Sequence, residues 1–97
     1  MRVRYSRRAT RDLEAINEYL AQRSEQGVAH VIGAIYAAIE FARRNPEAGP
    51  TVNRISGVRG ILVRRYRFKV FYRVLPGEGV VDIVHVRHMS RRPWQPK

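Results

Sequence analysis

Residues 57–97 carry ten lysines and arginines, Arg59, Arg64, Arg65, Arg67, Lys69, Arg73, Arg87, Arg91, Arg92 and Lys97, against two acids, Glu78 and Asp82. This stretch therefore holds a net +8 of the chain's total of +11. Seventeen of the nineteen basic residues are arginine, whose planar guanidinium pairs two hydrogen bonds with a phosphate or a carboxylate. Coding bias also enriches arginine, but solubility alone asks for less charge on so short a stretch. The expected partner is anionic: a nucleic acid, an acidic protein or an acidic lipid surface.

Few other residues suit catalysis. His85 and His88 are spaced three apart, which on a strand places them on opposite faces, and no Cys or acidic cluster supplies further ligands, so no metal site is expected. His88, at a strand end, is either a proton-transfer group or a structural histidine bonded to backbone. Six of the eight carboxylates lie in residues 1–56, and no phosphate-binding glycine loop, nucleophile elbow or cofactor motif is present. One reaction suits Arg, Lys, His and Tyr alone. It is RNA cleavage by the 2′-hydroxyl on its own phosphate, with cations stabilising the developing charge and His88 or a tyrosine moving the proton.

The elements that must position these groups read as follows. Residues 61–66, 69–75 and 80–88 are rich in Val, Ile, Tyr and Phe and predict three strands, with tight turns at residues 66–69 and 76–79. Such short connections make the three antiparallel. In the last strand, alternation predicts Val81, Ile83, His85 and Arg87 on one face, with Val80, Asp82, Val84, Val86 and His88 on the other. Along the first, Arg64 falls on the face of Leu62 and Tyr66, and Arg65 on that of Ile61 and Val63.

Upstream, Val3 and Tyr5 alternate with arginines and predict an edge strand. Ala9, Leu13, Ile16 and Leu20 then mark a helix starting near Ser6 and ending near Ser24, before Gly27. Val28, Val31, Ile32, Ile35, Ile39 and Ala42 mark a second, closed by Asn45-Pro46. Tyr19 and Tyr36 are expected in the joint apolar face of this hairpin. Residues 45–60 read as a surface loop whose tail runs partly along the first strand of the trio. The expected fold is α+β, in the order β-α-α-β-β-β, a helical hairpin packed on a small, mainly antiparallel, twisted sheet.

At 97 residues and 44% apolar content the chain is a single domain, 1–97, with one modest core. The absence of cysteine excludes disulfides and thiol chemistry. No apolar run approaches the ~18 residues of a membrane span, and the N-terminus lacks a signal-peptide core, so a cytoplasmic protein with no membrane partner is expected.

Several short pieces, in order, resemble a known family. They are Tyr5-Ser6-x-x-Ala9-x-x-Asp12-Leu13-x-x-Ile16-x-x-Tyr19, Asn45-Pro46-x-x-Gly49, Gly57-x-Arg59, Tyr66, Val70-x-Tyr72-x-Val74, and Ile83-x-x-Val86-x-His88 leading into Arg91-Arg92-Pro93. Together they resemble the RelE/ParE superfamily, the toxins of bacterial type II toxin–antitoxin systems, and most of all its ParE-like branch. The resemblance implies the fold read above, no cofactor, growth inhibition that serves plasmid stabilisation, and a cognate antitoxin, ParD- or RelB-like, whose acidic segment folds over the toxin in a hetero-oligomer.

It also implies two mechanisms. ParE-like members inhibit DNA gyrase by binding it, and for this reading Arg59, Arg64, Arg65, Arg67, Arg87, Arg91, Arg92 and Trp94 are the expected target- or antitoxin-binding residues. RelE-like members cleave messenger RNA on the ribosome, and their pattern places Arg64, Lys69, His88 and Arg91 at catalytic positions. The tyrosine often found at the C-terminal catalytic position is absent, and the indole of Trp94, the nearest aromatic, is no acid or base. That departure favours the gyrase inhibitor over the nuclease. A plain nucleic-acid-binding module, resting on charge alone and binding in a salt-sensitive way, is the remaining alternative.

Overall fold

The computed structural model describes residues 1–90. The elements are β1 (Arg2–Tyr5), α1 (Arg7–Ala21), α2 (Glu25–Arg44), β2 (Thr51–Asn53), β3 (Val58–Leu62), β4 (Phe68–Leu75) and β5 (Val80–His88). Five strands form one sheet in the order β1-β5-β4-β3-β2. The edge strand β1 runs parallel to β5, and all other pairings are antiparallel. Both helices pack on one face, where Ala9, Leu13, Val31, Ile35, Ile39 and Ala42 meet Val70, Tyr72, Val81, Ile83 and Val86. Full burial of Ile35 or Ile83, each 0% exposed, contributes about 2–3 kcal/mol.

Serines set both helix starts. Ser24 caps α2 through the Gly27 N–H, 3.2 Å away. Gly27 thus lies inside the first turn of α2 and does not end α1, which stops at Ala21. Ser6 caps α1 by accepting the Ala9 N–H at 3.0 Å, while its own hydroxyl donates to the Val84 carbonyl at 3.0 Å and its N–H to the Ile83 carbonyl at 2.9 Å. One residue therefore ends the β1–β5 ladder and begins the helix. Ser6→Ala is expected to lower stability by about 1–2 kcal/mol in a urea titration, with Ser6→Thr keeping most of it.

Three features depart from the sequence reading. The first strand of the trio is Val58–Leu62, shifted toward the N-terminus from residues 61–66, and an additional edge strand, β2, pairs with it. Residues 63–67 form a hairpin loop closed by the Val63 N–H on the Phe68 carbonyl, with Arg65 at φ 71. Val58 and Gly60 extend the strand upstream because their partners on β4, Arg73 and Phe71, are in place. The left-handed Arg65 breaks any alternation past Leu62, so Arg64 and Arg65 take neither sheet face.

The second departure is in β5. Phe71 pairs with His85 and Tyr72 with Ile83, which leaves Val84 as the extra residue of a β-bulge. Alternation restarts there. The core face holds Val81, Ile83 and Val86, and the face turned away from the helices holds Val80, Asp82, His85 and Arg87. The sequence reading had joined His85 and Arg87 to Val81 and Ile83.

The third is on the helices. Tyr19 and Tyr36 are 57% and 46% exposed and stand outside the core; Tyr19 instead carries the Arg23 guanidinium 4.3 Å above its ring.

Candidate functional site

The sheet face away from the helices is built from alternate residues of four strands. Register places Leu62 opposite Lys69, Gly60 opposite Phe71 and Val58 opposite Arg73. It also places Lys69 opposite Arg87, Phe71 opposite His85 and Arg73 opposite Asp82. The same alternation puts Phe68, Val70 and Tyr72 on the helix side.

At one end of this face the charges are matched. Arg4 lies 3.4 Å from both Asp82 and Glu78, and Arg73 donates from Nε to the Ser56 carbonyl at 2.8 Å. At the other end they are not. Lys69 and Arg87 face each other across the ladder, and neither has an acidic partner among the described residues. The Lys69 chain leans across Gly60 toward β3, because a Cβ at Gly60 would meet its Cε at 2.5 Å. Its Nζ stands 5.4 Å from the Phe71 ring centre.

Between these ends, His85 stacks on Phe71, with ring centres 5.8 Å apart and planes 19° apart. The Asp12 carboxylate reaches it from α1, at 2.6 Å from Nδ1, and also accepts the Val86 N–H at 3.0 Å. This contact exists because β1 ends at Tyr5, leaving the edge of β5 beyond Ile83 without a strand partner. With a carboxylate so near, Nδ1 carries the proton and donates it. The Arg8 Nε, 3.2 Å from the same nitrogen, then acts as a neighbouring cation that offsets the Asp12 charge.

His88 lies on the opposite side of the sheet. It pairs with Phe68, meets that ring edge-on at 5.1 Å, and its Nδ1 is engaged by the Ser90 N–H at 3.1 Å and the Ser90 hydroxyl at 2.5 Å. Lys69 and His88 are thus separated by the sheet. Arg64, Arg65 and Arg67 are exposed in the 63–67 loop, beside the β5 terminus, where the Arg67 carbonyl accepts the Met89 N–H. Arg59 points to the helix side, where its Nη1 donates to the carbonyls of Glu47 at 3.0 Å and Gly49 at 2.8 Å. Arg91, Arg92 and Trp94 lie outside the described residues. Among the described residues, no group of three His, Cys, Asp or Glu is placed to hold a metal ion, and no helix is long and apolar enough to cross a membrane.

The family pieces in the sequence acquire physical roles here. The buried Tyr72 hydroxyl donates to the Pro46 carbonyl at 2.9 Å and accepts the Gly49 N–H at 3.0 Å. Together with Arg59 it ties the loop after α2 to the sheet. Asp12, Gly49, Arg59 and Tyr72 each tie a helix or loop to the sheet.

The sequence of residues 3–93 matches the model of the ParE toxin of the type II toxin–antitoxin system parDE. The chain belongs to the ParE toxin family. No curated protein matches it in sequence. Among solved structures, this ParE-family fold is similar to the chromosomal ParDE system of P. aeruginosa, at 22% identity and TM-score 0.75, covering 93% of this chain and 97% of that one. It is also similar to the isolated RelE toxin of E. coli, at 14% identity and TM-score 0.65, covering 94% and 86%. The YoeB/ParE toxin from Agrobacterium tumefaciens matches at 20% identity and TM-score 0.65, covering 91% and 98%. The shared architecture is that of the RelE/ParE superfamily, and the family match places this chain on its ParE side.

Proposed function

We propose that this ParE-family toxin acts in the cytoplasm by binding DNA gyrase, without chemistry on a nucleic acid, and that a cognate antitoxin neutralises it in a hetero-oligomer. The observation that carries the non-enzymatic reading is the separation of Lys69 from His88 by the sheet. A nuclease would need the cation and the proton-transfer group within reach of one phosphate. The His88 ring nitrogen is moreover engaged by Ser90. Gyrase is proposed as the target because the resemblance to the ParE-like branch implies it.

The helical face supports a protein partner. From Gln26 to Ile39, α2 contains no acid, lysine or arginine, yet Tyr36 and Phe41 on this helix are 46% and 47% exposed. A surface helix so poor in charge on its outer side suits cover by another chain. Similar folds have been solved as toxin–antitoxin assemblies, including the E. coli RelBE complex. An antitoxin on this face would leave the cationic sheet face to its acidic segment or to the target.

The test is to induce the chain in bacteria and follow DNA and protein synthesis separately over the first minutes. DNA synthesis is expected to stop first, with DNA-damage signalling, and His88→Ala to behave as the parent does. An early stop in translation with cleaved transcripts, abolished by His88→Ala, would overturn the reading.

A further inference from the structure

Each copy of this chain carries a net +11, so two copies repel each other wherever their arginines meet. Arginines are exposed on β1, on α1 and in the 63–67 loop. The outer face of α2 differs. Gln26, Ala29, His30, Gly33, Tyr36 and Ala37 are all exposed there, and residues 26–39 include no acid, lysine or arginine. The helical period sets Gly33 directly away from the buried Val31, Ile35 and Ala42, at the centre of this uncharged face.

Gly33 is also unexplained by the fold. A glycine in the middle of a helix weakens it relative to alanine, and a Cβ at Gly33 would meet nothing within 4 Å. No neighbour inside the chain needs the space. A second backbone approaching from outside does.

We infer that a second copy of this chain docks on this face, the two α2 helices packing antiparallel about a twofold axis at Gly33. An axis there sets large residues over small ones. Tyr36, three positions past Gly33, comes over Ala29 of the other copy, four positions before it and on the same side of the contact; His30 comes over Ala37 in the same way. Gln26 meets Glu40, whose carboxylate is held by Arg43 and keeps lone pairs for the glutamine amide. Such self-complementarity is what a twofold interface requires. An acidic partner would find no cation between residues 26 and 39, whereas a second copy brings none to repel. The antitoxin proposed above for this helix would compete with the second copy, so the inference goes beyond that reading and stands without it.

The test measures the molar mass of the purified full chain by sedimentation across a wide range of protein concentration. The parent is expected to pass from the 11.3 kDa monomer to twice that mass. Gly33→Glu is expected to lose the dimer, because the axis brings the two new carboxylates together. Its thermal midpoint in dilute solution is expected not to fall, since the position is open. Gly33→Cys places a single thiol in a chain without cysteine, and the axis brings that thiol to its own mate. It is expected to oxidise to a covalent dimer about tenfold or more faster than Ile55→Cys, whose position is 97% exposed on the turn after β2.

A parent that stays monomeric throughout would overturn the second copy and leave the face to the antitoxin. A dimer that persists in Gly33→Glu, or cysteine variants that cross-link at equal rates, would place the contact elsewhere and overturn the assignment to α2.

Discussion

Gly49→Ala is expected to destabilise the protein by about 3 kcal/mol or more, the upper end of what overpacking costs. A Cβ at this position would stand 2.6 Å from the Tyr72 hydroxyl and 2.9 Å from the Gly60 carbonyl oxygen. The second of these is backbone in the middle of β3, so it has no rotamer by which to move. Tyr72 is 0% exposed, and moving its hydroxyl breaks two hydrogen bonds, a buried one from Gly49 and a partly buried one to Pro46, each worth about 1 kcal/mol. In a domain of this size about 3 kcal/mol lowers the thermal midpoint by roughly 12–24 °C. Tyr72→Phe removes the nearest obstruction together with the hydrogen bonds, so the double variant Gly49→Ala with Tyr72→Phe is expected to lose less than the sum of the single losses. A Gly49→Ala protein with an unchanged midpoint would show that the loop moves freely from the sheet.

Asp12→Ala is expected to cost about 3 kcal/mol in a urea titration. The carboxylate takes two donors, the Val86 N–H and His85 Nδ1, and removing it leaves both without their acceptor, at about 1–3 kcal/mol each. Arg8 then faces His85 without the intervening negative charge. Asp12→Asn keeps an oxygen at the position of Oδ2, which accepts both donors, and is expected to lose less, its remaining cost being the lost negative charge beside Arg8 and His85. Hydrogen exchange gives the local readout: the Val86 amide is expected to exchange markedly faster in Asp12→Ala than amides of the β3–β4 ladder. Uniform acceleration throughout the sheet would assign the loss to global unfolding instead.

Much of the architecture is legible in the residues. The steps of three and four from Ala9 to Leu20 and from Val31 to Ala42, and the alternation around Val3 and in β4, lead directly to the helices, the edge strand and their order. What cannot be read has local causes. A single extra residue, Val84, reverses alternation in β5, and nothing in a run of Val, Ile and His marks a bulge. Arg65 adopts a left-handed conformation that sequence rules reserve for Gly or Asn, so the end of β3 reads four residues too far along. Gln26 to Ile39 lacks acids, Lys and Arg on all sides, which made Tyr36 look like core when it is surface.

The candidate site was less legible than the fold. Lys69 and Arg87 were both visible as cations, but their opposition depends on register. His85 and Asp12 are distant in sequence, and the only signal of their meeting was Arg8 and Asp12 four apart on one helical face. Arg59, expected among the target- or antitoxin-binding residues, donates from Nη1 to the Glu47 and Gly49 carbonyls, a contact that composition does not reveal. The exposed arginines at 64, 65 and 67 remain the loop through which the protein-binding proposal extends beyond the sheet face.

The central claim is that this fold inhibits by binding and not by cleavage, and the most direct measurement adds the purified chain to gyrase and to translating ribosomes side by side. The account predicts that DNA supercoiling by gyrase is inhibited, that His88→Ala inhibits equally, and that ribosome-bound messenger RNA stays intact. Unimpaired supercoiling with cleaved messenger RNA would contradict it.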